Sequence, residues 1–155
     1  MELQLAMEFP TLHFPPIRLK ARHTANGRTE VFDKARGRWL VLTPEEWVRR
    51  HVVEYLRSHC GFLAEQIIEE YPVAVNGMSQ RADIVAIGSD HRPLMVVECK
   101  ESSIAISNET LRQAARYNAI LGCKYVVVTN GLTTHCFSLT DKGTYAPIPH
   151  FPHYE

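Results

Sequence analysis

The chain has 155 residues, with 17 basic and 17 acidic side chains, so its formal net charge is zero. A free-standing nucleic-acid-binding protein is usually more basic, and this balance argues against strong unaided binding. No apolar run is long enough to span a membrane, and Met1-Glu2-Leu3-Gln4 does not open a signal peptide. The four cysteines form no CxxC pair, which favours reduced thiols. We therefore expect a cytoplasmic protein with a single domain, residues 1–155.

The first third of the chain predicts an arm, a hairpin and a helix. Residues 1–29 carry scattered prolines without periodicity, which predicts an irregular arm. Residues 30–33 and 38–42 flank the turn Lys34-Ala35-Arg36-Gly37 and predict a β-hairpin. Between Arg18 and Arg38 lies a local excess of five positive charges, seven basic against two acidic residues. A solvated hairpin surface and a phosphate-contacting surface both fit that excess.

Thr43-Pro44-Glu45-Glu46 is typical of a helix start, because Thr43 can cap, Pro44 suits the first turn, and acids favour the positive end of the helix dipole. The spacing from Thr43 to Glu46 also fits a capping box. Three apolar strands follow within residues 66–100, then a helix from Asn108 to Gly122, then strands at 124–129 and 135–139. Residues 141–155 predict an irregular tail.

The order of these elements is α-β-β-β-α-β-β, preceded by a β-hairpin. Three strands with short links predict a meander, and the strand–helix–strand crossover that follows predicts a parallel, right-handed connection. The fold class is therefore α/β, an α+β arrangement with helices packed on a mixed sheet, and its core spans residues 30–140.

Three charged side chains, Asp83, Glu98 and Lys100, lie within or beside apolar strands, where a charge is costly unless it is paired or bound to metal. Glu98 and Lys100 are two residues apart and share a face. If the two strands pair, Asp83 approaches Glu98. Two carboxylates and the backbone carbonyl of Cys99 suit Mg²⁺, and Lys100 would then lie beside a metal-bound water. The pattern predicts phosphodiester hydrolysis; a structural Lys–carboxylate ion pair is the alternative.

Two residues of the second helix, Gln113 and Tyr117, are four apart and so share one helical face. Gln113 can orient a water or a ligand and Tyr117 can reach a phosphate, whereas simple packing on the sheet is the alternative. Arg49, Arg81 and Arg112 are candidate nucleic-acid contacts. The tail histidines His150 and His153 make only a weak case for a metal site.

The set Asp83, Glu98-Cys99-Lys100 and Gln113-Ala114-Ala115-Arg116-Tyr117 resembles the PD-(D/E)XK nuclease superfamily with a QxxxY helix. From Val31 to Leu139 the chain is similar to the N-terminal nuclease domain of type I restriction enzyme R subunits, in a small stand-alone form. Five short motifs carry this resemblance in the same order: Thr43-Pro44-Glu45-Glu46-Trp47-Val48-Arg49, Arg81-Ala82-Asp83-Ile84-Val85, Val97-Glu98-Cys99-Lys100, Tyr117-Asn118 and Val128-Thr129-Asn130-Gly131.

The resemblance implies a restriction-endonuclease-like fold, with Asp83 and Glu98 as Mg²⁺ ligands, Lys100 as the catalytic lysine and Gln113 in the active site. It also implies a glutamate on the first helix, for which we favour Glu46. Glu45 remains open, and helix capping is the alternative role of both. Ala82 replaces the usual proline before the aspartate, which leaves the ligand in place. The helicase motor of the R subunit is absent, so ATP-driven translocation does not carry over.

We therefore expect a DNA endonuclease of a restriction-modification type that uses Mg²⁺, with Mn²⁺ as a substitute and a partner protein supplying specificity. Its oligomeric state is open, and a homodimer is compatible with the sequence. The alternative from another class is a non-catalytic nucleic-acid-binding or assembly module that retains the fold. A structure-selective or RNA-directed nuclease would use the same site.

Overall fold

A computed structural model describes residues 9–155, so residues 1–8, with the first part of the expected arm, lie outside it. The strands form two sheets, and neither helix in the described range is long and apolar enough to cross a membrane. The elements in chain order are β1 Ala21–His23, β2 Thr29–Asp33, β3 Arg38–Val41, α1 Pro44–Ser58, a 3₁₀ turn Ala64–Gln66, β4 Ile67–Val75, β5 Met78–Ile87, β6 Pro93–Cys99, α2 Asn108–Leu121, β7 Tyr125–Thr129, β8 Thr134–Leu139 and β9 Tyr145–Ile148.

The main sheet has six strands in sequential order from β4 to β9. All neighbours pair antiparallel except β6 and β7, which are parallel and joined through α2. Val97 of β6 packs in the same cluster as α1, and Val96 packs in the cluster of α2. Because successive strand residues point to opposite faces, the two helices cover opposite faces of the sheet. The expected mixed α/β fold, with its meander and parallel crossover, is confirmed.

The helix starts follow the expected chemistry with two differences. Thr43 caps α1, its hydroxyl accepting from the Glu46 N–H at 3.1 Å. The Glu46 carboxylate, however, lies 3.0 Å from Arg50 Nε, so an ion pair takes the place of the expected return bond to the cap. In α2 the N-cap is Ser107, one residue before the expected Asn108, because the Ser107 hydroxyl accepts from the Thr110 N–H at 3.3 Å.

Two strands lie in segments expected to be irregular. β1 adds a third strand to the hairpin of β2 and β3, and β9 extends the main sheet beyond β8. Each has three or four residues, too few for alternation to stand out, and each is held by pairing with a neighbour rather than by its own pattern. Pro147 is tolerated in β9 because an edge strand leaves one row of N–H groups unpaired.

The pleat of β4 and β5 inverts where the two strands carry Glu70 and Asp83. Ala82 packs on the face of α2 and Ile84 packs on the face of α1, although residues two apart share a face in a regular strand. The register is the same on both sides of this point. Glu70 has a left-handed backbone, φ +52°, which is uncommon for a residue with a side chain. This irregularity lies next to the charged residues of β5.

The loop after β7 anchors the N-terminal arm to the core. Gly131 has φ +86°, its carbonyl accepts from the His13 N–H at 2.7 Å, and a Cβ there would lie 2.7 Å from Leu12 Cδ2. We expect Gly131→Ala to destabilise the protein by about 2–4 kcal/mol, since backbone strain and overpacking add. Gly122→Ala is the control: its φ is +68° with open space around the position, and about 1 kcal/mol is expected. Equal losses in urea denaturation would contradict the packing argument.

Candidate active site

The carboxylates of Asp83 and Glu98 meet where β5 and β6 diverge. The two strands pair as far as Ile84 and Val97. Beyond that pair, side-chain carboxylates replace backbone carbonyls as hydrogen-bond acceptors. The Asp83 N–H donates to Glu98 Oε1 at 3.0 Å, and the Cys99 N–H donates to Asp83 Oδ2 at 2.8 Å. Each carboxylate thus satisfies a backbone donor of the opposite strand, and both are held in fixed positions.

This pair concentrates negative charge in a buried place. Burial and the neighbouring Asp83 charge raise the pKa of Glu98 to about 8. Burial also raises the pKa of Asp83, although the Cys99 N–H and the Arg49 charge oppose that rise. Perturbed carboxylates of this kind mark positions where a cation is favoured, and they cluster at functional sites.

The available donor atoms are oxygens. Within residues 9–155 no group of three or more His, Cys, Asp and Glu side chains is arranged to hold a metal ion. A cation at Asp83 and Glu98 would therefore take two carboxylates, with the backbone carbonyl of Cys99 as a third protein oxygen and water for the rest. A hard oxygen set that leaves several positions to water suits Mg²⁺.

Lys100 directly follows β6, where its N–H donates to the Thr129 carbonyl at 2.9 Å. Its positive charge acts on this site, since it opposes the rise in the pKa of both Asp83 and Glu98. No carboxylate of the described chain lies within 4.0 Å of its amine as an ion pair. Lys100 is thus near the carboxylates of Asp83 and Glu98 but forms an ion pair with neither of them.

The two acids at the start of α1 have different surroundings. The Glu46 side chain is 10% exposed, and its carboxylate lies 3.0 Å from Arg50 Nε and 3.6 Å from Arg49 Nη1. The Glu45 side chain is 45% exposed, and burial together with the charge of Asp83 raises its pKa. The charge of Asp83 therefore acts on Glu45, whose carboxylate also lies 3.7 Å from Arg49 Nη2, whereas Glu46, the acid that we favoured from the sequence, lies in a buried ion-pair network.

Arg49 is buried beside the site rather than on the surface. Its guanidinium lies 3.5 Å from Asp83 Oδ1 and donates to Glu70 Oε1 at 3.2 Å. As placed, it contacts carboxylates and is not open to a nucleic acid, in contrast to the contact expected from the sequence. It serves instead as a counter-charge that tempers the repulsion within the carboxylate pair.

Two residues of α2 are hydrogen-bonded to a residue of β5 that the sequence analysis did not single out. Gln80 of β5 accepts two bonds on its Oε1, from Gln113 Nε2 at 3.1 Å and from Tyr117 Oη at 3.2 Å. Gln113 in turn accepts from Arg116 Nη1 at 3.0 Å. The signal for Gln80 was strand alternation, because Gln80 and Ala82 are two apart and both face α2.

The remaining candidates lie on the surface. Arg81 lies 3.6 Å from Glu70 Oε2, next to the site. Arg112 is mostly exposed on α2 and lies 3.6 Å from Glu109 Oε2. His150 and His153, with ring centres 6.2 Å apart, line a separate hollow near the C-terminus.

Comparison with known proteins places this chain in a family. Residues 44–152 match the family model described as "Type I restriction enzyme R protein N terminus (HSDR_N)". The chain belongs to this family. A search of curated proteins found no match. The match to this R protein N-terminal family begins after β3, so the three-stranded sheet of β1, β2 and β3 lies outside it.

A solved structure supports the same fold. The chain is similar to a fragment named as an HsdR subunit of a type I restriction enzyme from Vibrio vulnificus YJ016, with 26% sequence identity and a TM-score of 0.56. The likeness covers 72% of this chain and 24% of the other, so this member of the R protein N-terminal family spans about a quarter of that solved chain. The restriction-endonuclease-like architecture expected from the motifs is consistent with this likeness.

Proposed function

We propose that this chain is a Mg²⁺-dependent endonuclease that hydrolyses phosphodiester bonds in DNA. The observation that carries the proposal is the buried, apposed pair of Asp83 and Glu98, held by backbone N–H groups, with Lys100 beside it and unpaired by either. Membership in the type I restriction enzyme R protein N-terminal family supports it. The carboxylate set suits a hard divalent cation, which polarises a phosphate and lowers the pKa of a bound water.

Each residue then has a distinct part. Asp83, Glu98 and the Cys99 carbonyl hold Mg²⁺, or Mn²⁺ in its place. Lys100 orients the attacking water and stabilises negative charge that develops on the phosphate. We assign the helix acid to Glu45 in place of Glu46, because the Glu45 side chain is 45% exposed and senses the charge of Asp83, whereas Glu46 is buried in an ion pair with Arg50.

The face of α2 completes the arrangement. Gln113 and Tyr117 are held by the shared acceptor Gln80, so both side chains have fixed positions beside β5. From there Gln113 orients a water or a ligand, and Tyr117 contacts a phosphate. On the same proposal, Arg112 contacts nucleic acid from the exposed side of α2.

The substrate and partners follow the family by analogy. The Vibrio vulnificus fragment is named as part of a type I restriction enzyme, and DNA is accordingly the substrate that we propose here. With a formal net charge of zero, the chain has little general attraction for DNA, which favours a partner protein that supplies specificity. A homodimer is a further arrangement consistent with the proposal.

Metal binding provides the first test. Saturating MgCl₂ is expected to raise the melting temperature of the wild-type protein by about 5–10 °C, which corresponds to about 2.7 kcal/mol at a hundredfold excess over Kd. Asp83→Asn should lose this shift, since one of two carboxylate ligands is gone. Asp141→Ala, in an exposed turn, is the matched control and should keep it. Differential scanning fluorimetry with and without EDTA measures all three proteins.

A non-catalytic binding or assembly module is the second candidate, and one contact favours it. Arg49 already lies 3.5 Å from Asp83 Oδ1, so the buried carboxylate has a counter-charge within the protein. On that reading the charged cluster is purely structural. The wild-type protein would then show no Mg²⁺-dependent shift, and Asp83→Asn would lower the melting temperature equally with and without Mg²⁺.

A further inference from the structure

Four arginines surround the carboxylate of Glu70. Glu70 accepts a hydrogen bond from Arg49, and the guanidinium nitrogens of the other three lie between 3.4 and 4.0 Å from Glu70 Oε2. These three are Arg36 at 3.4 Å, Arg81 at 3.6 Å and Arg38 at 4.0 Å. Burial raises the pKa of Glu70, but Arg49 and the charges around it outweigh burial and lower it. Glu70 therefore lies as a carboxylate at the centre of a positive cluster, which favours its ionised form.

The cluster joins two parts of the chain beside the candidate active site. Arg36 and Arg38 come from the hairpin of β2 and β3, which lies outside the family match. Arg81 comes from β5, two residues before Asp83. Glu70 lies on β4 at the position facing Asp83, where both strands are irregular. The added three-stranded sheet thus brings positive charge to the edge of the carboxylate site.

Two of the four arginines are committed to buried ion pairs. Arg36 pairs with Asp33 and lies 3.5 Å from Glu69 Oε1, while Arg49 also contacts Glu46 and Asp83. These side chains are largely covered, and their charge is balanced within the protein. They hold the cluster together but have little left to offer a ligand.

Arg38 and Arg81 differ, because their side chains are 56% and 70% exposed. Within the described chain, Glu70 is the ion-pair partner of each, at distances of 4.0 and 3.6 Å, which exceed a hydrogen bond. Their N–H donors are therefore open to another acceptor. Since both lie within 4.0 Å of one carboxylate oxygen, both can reach a single anion of similar size.

We propose that Arg38 and Arg81 form a phosphate-binding arginine rim, which binds the backbone of a nucleic acid next to the carboxylate site. A phosphodiester presents the oxygen pair that guanidinium groups bind in fork geometry, as they bind a carboxylate. The added N-terminal sheet is then a substrate-binding element that this chain joins to the family domain. This inference rests on the proposed function, since it names how that site holds its substrate.

The test measures binding rather than cleavage. Wild type, Arg38→Gln, Arg81→Gln and the double variant are titrated against a fluorescein-labelled, mixed-sequence DNA duplex by anisotropy, with Ca²⁺ in place of Mg²⁺. The control is Arg92→Gln, an exposed arginine with the same charge change in the turn at the far end of β5. Each substitution in the arginine rim should weaken binding about tenfold at about 0.1 M salt and reduce the slope of log Kd against log[NaCl] by about one.

A parallel cleavage assay with Mg²⁺ on the same proteins separates the arginine rim from the nuclease. An unchanged salt slope in both single variants, an equal loss in Arg92→Gln, or no duplex binding by wild type would each overturn the arginine rim. If the wild-type protein cleaves DNA while the variants bind normally, the nuclease stands and the arginine rim fails. If binding depends on Arg38 and Arg81 but no metal-dependent cleavage occurs, the arginine rim stands and the nuclease fails. Melting temperatures of all variants confirm that each is folded.

Discussion

Replacing Lys100 by alanine is expected to lower metal-dependent DNA cleavage by at least about 1000-fold and to leave the folded structure intact. Lys100 is the cationic side chain next to Asp83 and Glu98 that no described carboxylate engages within 4.0 Å. Removal of a group that stabilises charge only in the transition state costs about 100- to 1000-fold, and loss of help with the attacking water adds to that. The side chain carries no buried pair, so the unfolding free energy should change little.

The assay uses a mixed panel of plasmid, linear duplex, single-stranded DNA, branched DNA and RNA, each with Mg²⁺ or Mn²⁺. Lys142→Ala, in an exposed turn, is the matched control. Metal-dependent cutting that Lys142→Ala retains and Lys100→Ala loses would identify the substrate class as well as the residue. Cleavage by Lys100→Ala at the wild-type rate would refute the mechanism.

The metal-free protein is expected to lose stability as the pH rises from 5 to 8, and Glu98→Gln should abolish most of that loss. In the folded protein the pKa of Glu98 is raised to about 8, against an ordinary value of 4.5. Between those values the folded state binds more protons than the unfolded state, so stability falls with rising pH. The slope for this one group approaches about 1.4 kcal/mol per pH unit.

Urea denaturation in EDTA at pH 5 and pH 8 measures the effect. Glutamine keeps the size of Glu98 and cannot ionise. The change in unfolding free energy between pH 5 and pH 8 should therefore be smaller in Glu98→Gln than in wild type, by about two to four kcal/mol. Glu65→Gln, on the exposed 3₁₀ turn, is the control and should follow the wild-type profile. If Glu98→Gln retains the wild-type dependence on pH, then Glu98 does not hold the additional proton that we ascribe to the folded state.

The sequence predicted the central strands because they are apolar, β-branched and bounded by turns. It also predicted that Asp83 approaches Glu98, since that requires only the pairing of neighbouring strands. The choice between Glu45 and Glu46 was beyond it, because adjacent helical residues point about 100° apart and only the packing of α1 on the sheet decides which one faces Asp83. Arg49 was ambiguous for the same reason: its spacing gives a face of the helix but not what covers that face.

Other features depend on contacts between distant segments. The short strands β1 and β9 exist through their neighbours, and their own residues carry little pattern. Gln80 becomes significant only when α2 brings Gln113 and Tyr117 to it. At the inverted pleat, Glu70 has a left-handed backbone conformation. Local propensity disfavours this conformation for any residue other than glycine, so the sequence did not predict it.

Two hydrogen bonds, one to the Glu98 carboxylate and one to the Asp83 carboxylate, also hold β5 and β6 together beyond Ile84 and Val97. If β5 frays from β6 beyond Ile84, the N–H groups of Asp83 and Cys99 lose their acceptors in the same event that separates the carboxylates. Separation of β5 from β6 and loss of the site would thus be one event. A fluctuation that parts these strands would therefore also take the site apart, because the same two hydrogen bonds hold both.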